Sequence, residues 1–505
     1  MQTNATQHGR ISLRSEIFLW LATGLAAAVT AIYAVQIIVY LLYPNYVDHA
    51  QPTVASTAWL GIHGGALYPD WVTGDVYGMA YGPLLFLVSG VPLLLSPTLM
   101  MSKIPGVVSS LIAFGIVAGI VHQKTRSKLT VVLMTGSLVA LYGHFGVTVY
   151  WNRAEPFLIL TSVLSLLAAT RLRPMAAALA VGSLAGVAAG FKIHGFFYVL
   201  PAAAMVLGTV ESARDRVVLS AAGIAAGAIL TLLPFCASGA SLETYLRYLT
   251  LAAHEGLSRD LLTENFGFAA AILAPTAVVL SLRKPTLALR EWWLLAGLVL
   301  SVAVMIVIAA KPGSGVHHLF PFVPLGLYGV VVASAGLPAD APRNAAALFL
   351  ILLAVYLPNL ISRTLPATAV YYRNADTERQ KGAELSELVK AYPDAQIGIS
   401  DGSHYGDTFL RSLSVLSGHP VHVDFAAWMD MQYSGVPESI IIRFVDGCAV
   451  PHWILPHGSP FARESFYTDL PLLSDEFRKT FAKNYQLVHS GDTFEVWACR
   501  ASPAR

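Results

Sequence analysis

In a chain dominated by apolar residues, the few groups able to do chemistry fall in short clusters. Asp48-His49 follows the first long apolar run. Arg153-x-Glu155, Lys192-x-His194 and the stretch from Lys311 to His317-His318 follow later ones. Tyr81 closes a long stretch, 44–82, just before Pro83. An ionisable group costs about 2.5–3.5 kcal/mol at mid-membrane and less near the interface, so four clusters set directly against apolar runs predict one shared polar site. A lone carboxylate such as Asp48 suits general-base work on an attacking hydroxyl. Arg153 offers a planar fork for phosphate oxygens, and Lys192 and Lys311 offer point charges. His194, His317 and His318 are hydrogen-bond donors to such a site, with a divalent cation as an alternative use. His317 and His318 alone do not make a metal site, because adjacent side chains on a helix point apart. Each residue also has a purely structural reading. Asp48 then ends a helix, Glu155 pairs locally with Arg153, Lys192 snorkels to the interface, and Lys311 marks a boundary. His254-Glu255 is a weaker candidate of the same kind, and Trp59, Trp71 and Trp151 read as interfacial anchors.

The elements that must position these groups are membrane helices. Of 505 residues only 12% are charged and 55% are hydrophobic, against about 25% charged in an ordinary soluble protein. This excludes a single soluble domain, a disordered chain and a nucleic-acid binder with a basic face. Eleven apolar stretches approach the ~20 residues that a span requires: 17–43, 104–121, 129–150, 157–170, 175–190, 196–210, 217–236, 266–282, 292–310, 319–336 and 345–362. Loops on one side carry eleven Lys/Arg and the alternate loops five. The positive-inside rule therefore places the candidate clusters on the extracytoplasmic side. That topology makes 83–99, which holds Pro83, Pro92 and Pro97, a re-entrant or interfacial segment rather than a span. From Arg363 on, roughly one residue in five is charged, against roughly one in eleven before it. The predicted fold is a mainly α, polytopic helix bundle over 1–362 followed by a soluble α/β domain over 363–505. The soluble part has a helix at 377–391 and strands at 396–400, 420–425, 452–456 and 494–499. Cys448 and Cys499, both in that domain, are able to pair in an oxidising compartment.

The order of motifs resembles the GT-C class of integral-membrane glycosyltransferases, in particular the aminoarabinose and protein O-mannosyl transferase groups. In those an acidic residue follows the first helix, then an Ala/Gly-rich helix, then a Tyr-x-x-Pro-Pro-Leu-like element. Asp48, Ala55–Gly65 and Tyr81–Leu85 follow that order. The chain departs from it in having Gly82-Pro83 for Pro-Pro and His49 for a second acidic residue. Arg153-x-Glu155 is similar to an Arg and second carboxylate of the next outer loop, and Lys311-Pro-Gly to a Lys-x-Gly element before a late helix.

The resemblance implies transfer of a monosaccharide from a polyprenyl-phosphate donor to a glycan, lipid or protein acceptor in the cell envelope. The protein would sit in a bacterial inner membrane, with its site and C-terminal domain in the periplasm. Inversion in a single displacement needs one base, Asp48, and cations on the leaving phosphate. Arg153, Glu155, Lys192, His194, Lys311, His317, His318 and Tyr81 are the expected donor-binding groups. The rival reading is a secondary transporter or flippase, which calls for internal repeats and mid-membrane polar groups. The sequence has neither, nor a phosphate loop or a zinc-protease motif.

Overall fold

A computed structural model describes residues 13–237, 239–254, 256–283, 285–334 and 340–500. The chain is a multi-pass membrane protein capped by a small mixed domain. Apolar runs form α1 (Leu13–Leu42), α2 (Ala50–Ile62), α3 (Pro83–Gly90), α4 (Leu99–Thr125), α5 (Lys128–Tyr142), α6 (Glu155–Arg171) and α7 (Pro174–Phe191). Further helices are α8 (Leu200–Leu207), α9 (Ala213–Leu232), the amphipathic α10 (Leu242–Ala252), α11 (Arg259–Arg283), α12 (Leu289–Ile308), α13 (Val323–Ser334), α14 (Ala341–Asn359) and the largely polar α15 (Leu365–Ala391). Their starts follow local chemistry. Side chains of Thr98, Ser127 and Ser212 cap α4, α5 and α9 by accepting backbone N–H groups, and proline occupies the first turn of α6, α7 and α8, where a missing N–H costs nothing.

Among the described residues, eight helices are long and apolar enough to cross a membrane. They account for eight of the eleven expected stretches. The other three, 129–150, 157–170 and 196–210, form the shorter helices α5, of 15 residues, α6, of 17, and Ile193–Leu207. Segment 83–99 folds as α3 and a 3-10 turn, Val91–Leu94. At about 1.5–2 Å per residue this piece is too short for a bilayer of ~30 Å. It also rejoins the end of the bundle that it left. On one side Gly82 N donates to Phe191 O at 2.9 Å, at the end of α7. On the other, Lys103 Nζ donates to Tyr43 O at 2.7 Å, at the end of α1.

Small residues set the closest helix pair. A Cβ on Gly182 would run into the Gly223 carbonyl, and one on Gly186 into that of Gly227. The four glycines let α7 and α9 approach backbone to backbone.

The boundary expected at 362/363 carries no flexible linker. α14 passes through a π turn, Leu360–Thr364, straight into α15, so the soluble domain stands on a continuation of the last apolar helix. Its sheet has the order β1-β2-β4-β3, with β1 (Ala395–Ile397), β2 (His452–Pro456), β3 (Tyr485–Ser490) and β4 (Phe494–Cys499). The β1–β2 pair is parallel and the other pairs antiparallel; Ile397 faces Ile454, and Trp453 faces Trp497. Helices α16 (Ser412–Leu416), α17 (Phe425–Tyr433), α18 (Ser439–Val445) and α19 (Asp475–Asn484) surround it.

Two strand expectations need correction. Residues 420–425 form no strand. Val423 makes a single bridge with Val76, and Asp424 then starts α17 by accepting from Ala426 N and Ala427 N. The strand β3 was not expected, because five of its six side chains are exposed and leave no apolar run to read. Cys448 and Cys499 form a disulfide, with Cα atoms 5.8 Å apart.

Candidate active site

Helix ends of opposite polarity meet at one end of the bundle. Asp48 lies in the turn before α2, where its Oδ1 accepts Ala50 N at 3.0 Å. Arg153 stands just before α6 and Glu155 is the first residue of that helix. Lys192 follows the last residue of α7. Carboxylates at helix starts and a cation at a helix end suit the backbone dipoles there.

One half of the site is centred on Arg153. Its Nη1 lies 3.2 Å from Asp48 Oδ1, and its Nε donates to Tyr81 Oη at 2.8 Å. The guanidinium lies 4.1 Å from the Trp151 ring. Asp48 Oδ2 also pairs with His49 Nδ1 at 3.4 Å. Burial works against ionisation of Asp48, but the charge of Arg153 and the hydrogen bonds from His49 and Ala50 N outweigh it and hold the carboxyl well below the usual carboxylate range. Asp48 is therefore ionised at neutral pH.

The other half is centred on Glu155, which is 1% exposed. Its Oε2 accepts Trp151 Nε1 at 2.8 Å and its Oε1 accepts Lys192 Nζ at 3.2 Å. Lys192 Nζ also lies 2.9 Å from His318 Nε2 and 5.3 Å from the centre of the Tyr81 ring, which joins the two halves. His318 Nδ1 faces Gly315 O at 3.3 Å; that bond assigns the ring proton to Nδ1 and leaves Nε2 to accept from lysine. His317 Nε2 is 3.9 Å from Glu155 Oε1, and the His194 ring is 5.2 Å from that of His318.

The structure thus gathers Asp48, Tyr81, Arg153, Glu155, Lys192, His194, His317 and His318. Lys311 stands apart from these contacts, donating to Ala252 O at 2.6 Å. His254 is exposed in the turn after α10, its Nδ1 at 2.7 Å from Thr250 O, and Glu255 lies outside the described residues. No group of three or more His, Cys, Asp or Glu side chains able to hold a metal ion occurs among the described residues.

Several functional neighbours were missed in the sequence. Trp151 is no interfacial anchor; it is buried and hydrogen-bonded to Glu155. Asn152 is fully buried with neither side-chain polar atom partnered, and Nε2 of both His194 and His317 is also without a hydrogen bond. Lys103 is fully buried and donates to the carbonyls of Tyr40, Tyr43 and Asn45 at 2.7–2.9 Å, which fixes the end of α1 and the turn carrying Asp48. A lysine inside the run Met100–Val108 was the available signal. Arg411 ties the soluble domain to the same turn, donating to His49 O at 2.7 Å and to Asp424 at 3.0 Å.

A lateral apolar cavity of about 740 Å³ opens beside the site. It runs between α5, α11, α13 and α14, from Phe145 and Val316 next to His317 to Leu282 and Asn344 at the opposite end.

Two solved structures share this architecture. ArnT from Cupriavidus metallidurans bound to undecaprenyl phosphate superposes with a TM-score of 0.56 over 95% of this chain and 99% of that one, at 14% identity. The same protein in the apo state gives 0.52 over 95% and 98%, also at 14% identity. The chain has an ArnT-like fold. The arabinosyltransferase EmbB from Mycobacterium smegmatis is less similar, with a TM-score of 0.47 and 14% identity over 87% of this chain and 42% of that one. No protein-family model matches the sequence, and no curated protein matches it.

Proposed function

We propose that this protein is a membrane glycosyltransferase that moves a monosaccharide from a polyprenyl-phosphate donor to a cell-envelope acceptor outside the cytoplasm. The observation that carries the reading is the pairing of Arg153 with Asp48 and of Lys192 with Glu155 at the end of the bundle where a lipid-sized apolar cavity begins, at Phe145 and at Val316 beside His317. Undecaprenyl phosphate in the structurally similar ArnT supports a donor of that class. The cavity takes the polyprenyl tail and the cations take the phosphate.

Departure of the sugar adds negative charge to the lipid phosphate. Arg153 and Lys192 are held in a site with little water, where such stabilisation is largest. The unpartnered atoms of Asn152, His194 and His317 are suited to hydrogen-bond the sugar and phosphate, since buried polar atoms without partners cost stability. Asp48 stays ionised and accepts the proton of the attacking acceptor group. Its depressed basicity makes it a weak base, so its hydrogen bond that orients the acceptor counts as much as the removal of the proton.

The orientation rests on two features. The positive loops lie at the end of the bundle opposite the site, and the soluble domain carries the Cys448–Cys499 disulfide, a bond that persists in oxidising compartments. The polar groups cluster at one end rather than at mid-membrane, which favours transfer over transport.

The test is transfer by purified protein from a panel of polyprenyl-phosphate sugars. Asp48→Asn is expected to lower the transfer rate by about 10²–10⁴-fold while donor binding persists. Full activity in that variant removes Asp48 from the reaction.

A further inference from the structure

The C-terminal domain reaches over Asp48 with one specific loop. Its root, Phe461, is buried against Trp453, Phe425 and Phe477. Phe461 and Asp469 both adopt left-handed backbone, φ 57° and 53°, uncommon for non-glycine residues. Between them the chain turns back on itself. Leu472 N donates to Arg463 O and Ser465 N to Leu470 O, each at 2.8 Å. The loop therefore has a fixed shape and carries Arg463, Phe466 and Tyr467 toward the membrane part.

Phe466 is 41% exposed, yet its ring lies 4.8 Å from that of His49, the residue paired with Asp48. Tyr467 Oη donates to Asp430 Oδ1 at 2.6 Å and lies against Gly313, where a side chain would meet it at 2.7 Å. Arg463 lies flat on Tyr405, 4.1 Å from the ring, and its Nε is buried without a hydrogen-bond partner. Tyr405 is held over the turn that carries Asp48: the carbonyl of the next residue, Gly406, accepts Asn45 Nδ2 at 3.3 Å, and Arg411 at the end of the same segment donates to His49 O at 2.7 Å. A guanidinium stacked on an aromatic ring directs its N–H edge at a planar or tetrahedral oxyanion. An exposed aromatic face beside it suits the C–H face of a sugar ring.

We infer that Arg463, Phe466 and Tyr405 form an acceptor subsite for a sugar bearing an anionic group, delivered by the soluble domain to the Asp48 side of the site. This rests on the transferase reading, in which Arg153 and Lys192 are taken by the donor phosphate and Arg463 remains free for the acceptor.

The experiment uses the full chain in phosphatidylcholine nanodiscs, with glucose 6-phosphate, glucose and undecaprenyl phosphate titrated by calorimetry. Glucose 6-phosphate is expected to bind about tenfold more tightly than glucose, the value of one charge-assisted contact, and to bind together with undecaprenyl phosphate. Arg463→Gln is expected to erase the preference for the anionic sugar, Arg463→Lys to keep part of it, and Phe466→Ala to weaken both sugars; none should alter undecaprenyl phosphate binding. Equal binding of the two sugars, displacement of glucose 6-phosphate by undecaprenyl phosphate, or an undiminished preference in folded Arg463→Gln overturns the subsite. Loss of undecaprenyl phosphate binding alone, with the Arg463-dependent preference intact, overturns the donor reading and leaves the subsite standing.

Discussion

The ammonium of Lys192 lies 2.9 Å from Nε2 of His318 and 3.2 Å from Oε1 of Glu155. Lysine from the end of α7 thus bridges a carboxylate from the start of α6 and an imidazole from the segment leading α13. Three distant parts of the chain are locked by one cation.

Breaking a buried ion pair from one side leaves the other charge uncompensated, at about 3–5 kcal/mol. Lys192→Met is therefore expected to lower the unfolding midpoint in detergent strongly, and Glu155→Gln in the same chain to restore much of the loss. A double-mutant cycle on thermal unfolding checks this; additive effects mean that the two residues do not interact.

The lateral cavity makes a prediction about chain length. Ala271→Trp and Ala347→Trp project bulk into it from α11 and α14. Each should raise KM for a donor with a long polyprenyl tail by about tenfold, the equivalent of 1.4 kcal/mol of lost binding, and affect a ten-carbon donor much less. Equal effects on both donors would place the tail elsewhere.

Asp430 supplies a pH dependence. Burial raises the pKa of its carboxyl, and the Tyr467 hydrogen bond only partly opposes this. A carboxyl whose folded pKa is raised destabilises the fold progressively as pH climbs from the ordinary carboxylate range toward the folded value, and the penalty is constant above it. Asp430→Asn keeps an oxygen for the Tyr467 hydroxyl. It should raise the unfolding midpoint at pH 7 and lose that advantage below about pH 4. A midpoint difference that does not change with pH contradicts the assignment.

Orientation is testable with the chain's own thiols. Of three cysteines, Cys236 is exposed and free at the site-side end of α9, and the other two form the disulfide. A membrane-impermeant maleimide applied to intact spheroplasts should label Cys236 directly, and the half-buried Cys448 only after reduction. Labelling of Cys236 only after the membrane is permeabilised would invert the topology.

Much of the site was legible because charge is rare in this chain. Asp48, Arg153, Glu155, Lys192 and the paired histidines each stand directly beside an apolar run, and their cost at such positions marks them. Trp151, Phe466 and Asp430 were not legible. Tryptophan at a helix end reads equally as an interfacial anchor, and Phe466 and Asp430 lie in a soluble domain where aromatic and acidic residues are ordinary. Lys103 was legible in principle, since a lysine in an apolar run needs a partner.

By itself the sequence determined that the chain is a helical membrane protein with a soluble C-terminal domain, because hydropathy, loop charge and proline placement are local properties that each segment carries along. Tertiary structure alone decided that Asp48 pairs with Arg153 and Lys192 with Glu155 and His318, that Lys311 turns away to Ala252, and that a loop beyond residue 460 overlies a carboxylate at residue 48. These are contacts between segments far apart in the chain. Their selection depends on which helix faces pack together, as at the four glycines of α7 and α9, and no local pattern encodes that choice.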